Sequence, residues 1–70
     1  MLAYFSMRLK QLRAAKGMTQ SEVALYVGVS RSVISAYESD LRYPSYEILI
    51  RLSSLFGVST DFMLGVERGR

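Results

Sequence analysis

The segment 19–39, TQSEVALYVGVSRSVISAYES, constrains this chain more than any other. Its spacing predicts two short helices joined by a tight turn. Thr19 can accept a hydrogen bond from a free backbone N–H of the first turn, and Glu22 stands three residues on to reach back, which is a capping box. Val23, Ala24 and Val27 then fall on one helical face. Gly28 follows where a helix end needs positive φ. Val29 can tuck into a core across the turn, and Ser30 is a second N-cap, opening RSVISAYE. In that second helix Ile34, Tyr37 and Glu38 turn inward, while Arg31, Ser32, Ser35 and Ala36 turn outward. Two helices meeting at a steep angle must approach closely. They therefore want a small residue in the first (Ala24), a glycine at the turn (Gly28) and a branched apolar residue in the second (Ile34), and all three are present in that order.

The rest of the chain predicts more helix. Phe5, Leu9 and Leu12 form an apolar stripe, so a first helix is expected over about 3–16, ended by Gly17, with Met18 as a core plug. Pro44 stops any helix before it and holds Tyr43 extended. Ser45 caps a helix over about 46–56, with Glu47 in its favourable first turn. Tyr46, Leu49, Ile50, Leu52, Ser53 and Phe56 are its expected core face, and Gly57 its stop. Ser59 caps a short last helix over 60–64, and Val58 and Leu64 seal the core. Residues 66–70 read as a frayed tail or the start of a linker.

Seventy residues make one domain, and a core this small favours a helical bundle with short loops. The chain has no cysteine, hence no disulfide framework and no thiolate metal site, in keeping with a reducing cytoplasm. It has no histidine, which removes the commonest general base and metal ligand. The remaining nucleophiles are serines with no base arranged beside them. The expectation is therefore no enzyme, no catalytic residue, no metal and no cofactor. No apolar run reaches the roughly 18 residues of a membrane span, and Met1 to Phe5 is too short and lacks the basic leader of a signal peptide. The net charge of +3 mildly favours polyanions, though ordinary surface charge explains it as well.

The motifs R-L-K-Q-L-R, K-G-M-T-Q, V-A-x-x-V-G-V-S, S-x-x-I-S-x-Y-E, R-x-P-S and G-V-S-T-D-F-M-L-G together resemble the phage-repressor and Cro-type (Xre-like) helix-turn-helix family. The resemblance spans residues 5–65, with the motif at 19–39 and the recognition helix at 30–38. It implies an all-α, five-helix lambda-repressor-like domain. It also implies a cytoplasmic regulator of prokaryotic or phage type, a repressor most often, that binds double-stranded operator DNA as a homodimer. The family often has glycine at the position of Asp40, where the chain turns left-handed; Asp tolerates that conformation less well than Gly but better than most.

The resemblance assigns roles residue by residue. An arginine at the Arg13 position and a glutamate at the Glu38 position form a partly buried ion pair. The physics agrees, because an unpaired inward carboxylate beside Tyr37 is costly. Thr19 and Gln20 lie at a helix N-terminus that meets a phosphate, with the Gln20 amide also bonding a recognition-helix side chain. Ser30, Arg31, Ser32, Ser35 and Ala36 lie on the part of the recognition helix that enters the major groove. Arg31 is open to two readings, a bidentate grip on guanine or a phosphate contact, beside that of a solvated arginine. Ser32 specifies little alone, Ala36 suits a thymine methyl, and Val33 either grazes one or packs inward. Arg42 and Tyr43 follow the DNA backbone, and Arg8 and Lys10 add long-range attraction. Ile48, Leu55, Phe62 and Met63 are either scattered surface apolar residues or a dimer face, where family members often meet. Leu25 and Tyr26 are accounted for only by packing under the N-terminal residues. The rival to a DNA-binding regulator is a protein-interaction module, such as an antitoxin or regulatory partner, using the same fold.

Overall fold

The computed structural model describes residues 3–66. Of the expected tail 66–70 only Val66 is described; the remainder, and residues 1–2, lie outside the described residues. Within 3–66 the chain forms five helices: α1 Ala3–Lys16, α2 Gln20–Val27, α3 Arg31–Glu38, α4 Tyr46–Phe56 and α5 Thr60–Leu64.

Four of the five starts are set by side-chain caps. Thr19 Oγ1 accepts from the Glu22 N–H at 3.1 Å, and Glu22 Oε1 accepts from the Thr19 N–H at 2.8 Å, completing the capping box of α2. Ser30, Ser45 and Ser59 accept from the N–H groups of Val33, Ile48 and Phe62 and so start α3, α4 and α5. Each bond satisfies one of the donors that a helix N-terminus leaves free. Gly28 stops α2 at φ 84°, and its N–H closes onto the Ala24 carbonyl at 2.9 Å. That left-handed residue makes the short turn into α3 possible. Asp40 adopts φ 61° after α3, the left-handed conformation that the family's glycine takes without steric cost.

The core is built from one stripe per helix. Phe5 and Leu9 of α1, Val23, Ala24 and Val27 of α2, Ile34 and Tyr37 of α3, Leu49 and Leu52 of α4, and Met63 of α5 are all buried. The Phe5 and Tyr37 rings meet edge to face with centroids 5.8 Å apart, which couples α1 to α3. Leu12, Met18, Val29 and Val33 pack half-buried around this centre, and Val33 thereby packs inward. α3 lies against α2 and α1, while α5 closes on α1 and α4.

Two expected core residues and one expected surface residue stand otherwise. Tyr46 is 77% exposed and Ile50 is exposed as well. With successive residues turned by about 100° around a helix, the buried arc of α4 runs from Leu49 and Ser53 through Leu52 towards Ile48 and Leu55, leaving Ile50 on the opposite flank. Tyr46, the first residue of α4, lies on the flank shared with Ile50. Met63, expected at a dimer face, is fully buried. Its side chain fills the core where α5 meets α1 and α4, so it has no surface to offer a partner.

Candidate nucleic-acid interface

The interface begins with an ion pair beneath it. Arg13 sits near the end of α1 and Glu38 at the end of α3. Arg13 Nε donates to Glu38 Oε2 at 2.6 Å and Nη2 donates to Oε1 at 3.0 Å, a bidentate arrangement. Arg13 Nη1 also donates to the Met18 carbonyl at 3.0 Å, fixing the corner between α1 and α2. The Glu38 side chain is 4% exposed and that of Arg13 21%. The hydrogen bond to Glu38 holds the Arg13 guanidinium above its ordinary pKa, against burial, which pulls it down.

The pair continues upward through Gln20, the first residue of α2. Gln20 Nε2 donates to Glu38 Oε1 at 3.1 Å, and Gln20 Oε1 accepts from Arg31 Nη1 at 3.1 Å. Arg31 and Glu38 are the first and last residues of α3, on the same face about two turns apart. One amide on the neighbouring helix therefore bridges both ends of α3. The series Arg13, Glu38, Gln20, Arg31 sets a neutral amide between the Glu38 carboxylate and the Arg31 guanidinium, and runs from the buried α1–α3 contact to the exposed start of α3.

The contact residues expected from the sequence fall into four groups. Gln20 and Arg31 are joined directly. Thr19, Ser30 and Ser32 are exposed beside the starts of α2 and α3, but the Thr19 and Ser30 hydroxyls already serve as caps, and the Ser30 and Ser32 hydroxyls lie 3.0 Å apart. Ser35 and Ala36 are half-buried. Arg42 and Tyr43 are exposed in the loop after α3, held there by Leu41 and Arg42 N–H groups donating to the Ala36 carbonyl. Of the expected dimer residues, Phe62 is exposed, Ile48 and Leu55 are half-buried against the core, and Met63 is excluded. Leu25, at 85% exposure, and Tyr26 stand on the outer side of α2.

Two arginines have partners that sequence reasoning missed. Arg51 Nη1 donates to the Val27 carbonyl at 3.1 Å, capping the end of α2, while Nη2 bonds Glu47 at 2.7 Å. A Cβ on Gly28 would stand 3.1 Å from Arg51 Nη1, so glycine at that turn also makes room for this cap. The Arg8 guanidinium lies 4.1 Å from the Phe62 ring centroid and 5.5 Å from that of Tyr4, and donates to the Phe62 carbonyl. Arg8 is therefore engaged across α1 and α5. The i,i+4 spacing of Glu47 and Arg51 was a visible signal; the reach of Arg51 to Val27 and of Arg8 to Phe62 had none.

Comparison with known proteins agrees with this geometry. A helix-turn-helix family model matches residues 9–63. The HTH-type transcriptional regulator ImmR of Bacillus subtilis is 43% identical over 58 residues, 83% of this chain and 46% of ImmR. The HTH-type transcriptional activator BcrR of Enterococcus faecalis is 41% identical over 63 residues, 90% of this chain and 31% of BcrR. Among solved structures, the P22 c2 repressor in complex with a synthetic operator superposes with TM-score 0.85 at 28% identity, covering 90% of this chain and 96% of that one. The N-terminal DNA-binding domain of SinR from Bacillus subtilis does so with TM-score 0.80 at 34% identity, covering 94% and 96%. The chain belongs to the helix-turn-helix family, and it spans about half the length of the first curated relatives it matches.

Proposed function

We propose that this chain is a sequence-specific DNA-binding transcriptional regulator that lays α3 in the major groove of its site. The observation that carries the reading is the α2–α3 corner. Its two helix starts are exposed, and Arg31 Nη1 donates to Gln20 Oε1 across them at 3.1 Å. One structure that its fold matches is a repressor in complex with a synthetic operator. A helix N-terminus attracts a phosphate, and an arginine at the start of a recognition helix suits the O6 and N7 acceptors of guanine. In this reading Thr19 and Gln20 meet one backbone strand. Ser30, Arg31, Ser32, Ser35 and Ala36 meet the groove. Arg42 and Tyr43 meet the backbone beyond it. The binding unit is 5–65, and enzymatic activity is no part of the proposal.

The base-reading set is small: one arginine, with short serines and an alanine. One copy then binds weakly, and two copies on a palindrome with half-sites about 34 Å apart supply the missing affinity. Exposed Phe62, together with half-buried Ile48 and Leu55, is the proposed contact between copies, and repression is the proposed outcome. A protein-interaction role is the second reading, favoured by the exposed apolar residues Leu25, Tyr26, Leu41 and Tyr46.

Selection of sites from a random duplex library, followed by titration of the enriched duplex at two salt concentrations, separates them. A palindrome with a steep salt dependence supports the regulator. No enriched sequence, with only non-specific affinity at low salt, supports the protein-interaction reading.

A further inference from the structure

The Gln20 amide lies between two opposite charges. Its Nε2 faces a Glu38 carboxylate oxygen at 3.1 Å and its Oε1 faces an Arg31 guanidinium nitrogen at 3.1 Å. Turning the amide over would set its oxygen against the carboxylate and its N–H groups against the guanidinium, so both neighbours oppose the flip. Glu38 is itself immobilised, bidentate on Arg13 and buried. We infer that Glu38 is a positioning residue for DNA reading: through the Gln20 amide it fixes where Arg31 stands before DNA arrives.

The inference rests on the DNA-binding reading for its consequence but not for its geometry. Glu38 touches no DNA in this arrangement. One Nη1 hydrogen of Arg31 is committed to Gln20, and the other guanidinium donors stay available for a base or a phosphate. Gln20 likewise keeps its second Nε2 hydrogen for a phosphate. An exposed arginine otherwise samples many rotamers, and ordering it in advance removes that cost from binding. The buried ion pair, whose evident role is structural, thus also acts on specificity.

The test uses two variants of the full chain. Gln20→Met keeps the side-chain length and leaves the Arg13–Glu38 pair intact, while Glu38→Gln keeps Gln20 but removes the charge that orients it. The first readout needs no DNA: the NMR order parameter of the Arg31 Nε–H bond in the free protein. It is expected to be high in the wild type and to fall to that of a free surface side chain in Gln20→Met. An Arg31 already mobile in the wild type, or unmoved by Gln20→Met, overturns the inference. The second readout is discrimination among single-base variants of the selected duplex. Both variants are expected to lose about tenfold of discrimination at the base pair that Arg31→Ala also affects, with other positions unchanged. A uniform loss at every position means that Gln20 and Glu38 act only through phosphate contact or stability, and also overturns it. If no duplex is selected at all, the DNA-binding reading fails while the free-protein measurement still decides the positioning of Arg31.

Discussion

The two ends of α1 are tied down by different chemistry. Near its end, Arg13 makes a bidentate, largely buried pair with Glu38 of α3 and also holds the Met18 carbonyl. Nearer its start, Arg8 lies over the exposed ring of Phe62 in α5, with the Tyr4 ring centroid 5.5 Å away. The first attachment takes two charges out of water and joins α1 to the helix proposed to read DNA. The second keeps its charge near solvent and works by stacking and by covering apolar surface with an arginine stem. The buried tie is costly to break and extends through Gln20 to a polar surface. The exposed tie is cheap and ends at an apolar one.

Breaking the buried tie is the largest expected effect. Arg13→Met leaves the Glu38 carboxylate buried with only Gln20 as partner, and a loss of about 3–5 kcal/mol in urea unfolding is expected. Glu38→Ala should cost less, because the stranded Arg13 is 21% exposed and reaches water. Equal losses would mean that burial of the carboxylate is not what makes the pair important. At the other end, Arg8→Ala is expected to cost about 1 kcal/mol, with little change on adding salt. A loss as large as that of Arg13→Met would erase the contrast between the two ends.

Smaller effects sharpen the picture. Glu47→Ala breaks a solvent-exposed i,i+4 pair with Arg51 and should change stability by less than about 0.5 kcal/mol by the same measurement. Tyr37 gives a change that shows only in alkali. Burial raises its phenol pKa above the ordinary value, against the nearby positive charge of Arg42, which lowers it. The folded chain therefore holds this proton to higher pH than the unfolded chain does. Its stabilising contribution is complete below about pH 10 and is lost as pH rises through the raised folded value. Unfolding of Tyr37→Phe at pH 8 and above pH 10 should show a shallower alkaline decline than the wild type, and an unchanged decline would assign it to other groups.

Local chemistry made most of the architecture readable. The Thr19–Glu22 box, the caps at Ser30, Ser45 and Ser59 and the stop at Gly28 are each decided within a few residues, and each helix began and ended accordingly. What local pattern does not encode is reach across the fold. Arg8 finds Phe62 across 54 residues, Arg51 finds Val27 across 24, and Gln20 finds Glu38 across 18. Met63 illustrates a different limit. On the five residues of α5, Phe62 and Met63 are adjacent and both apolar, and no period is long enough to say which one faces the core. Tyr46 and Ile50 read as inward because the apolar residues of α4 spread over more than half of its circumference, with Glu47, Arg51 and Ser54 on the rest. The tilt of its buried arc towards Ile48 and Leu55 is set by α1, α2 and α5, not by α4 itself.

In the proposed reading the start of α3, where Arg31 donates to Gln20, contacts the bases. Its most direct test is the affinity of wild type and Arg31→Ala for the selected duplex and for its single-base variants, at one salt concentration. A loss of roughly tenfold or more is expected for Arg31→Ala on the selected duplex, together with loss of discrimination at one base pair in each half-site and unchanged unfolding by urea. Equal affinity and equal discrimination in the two proteins would contradict it and turn attention to the exposed apolar residues of α2 and α4 as the working surface.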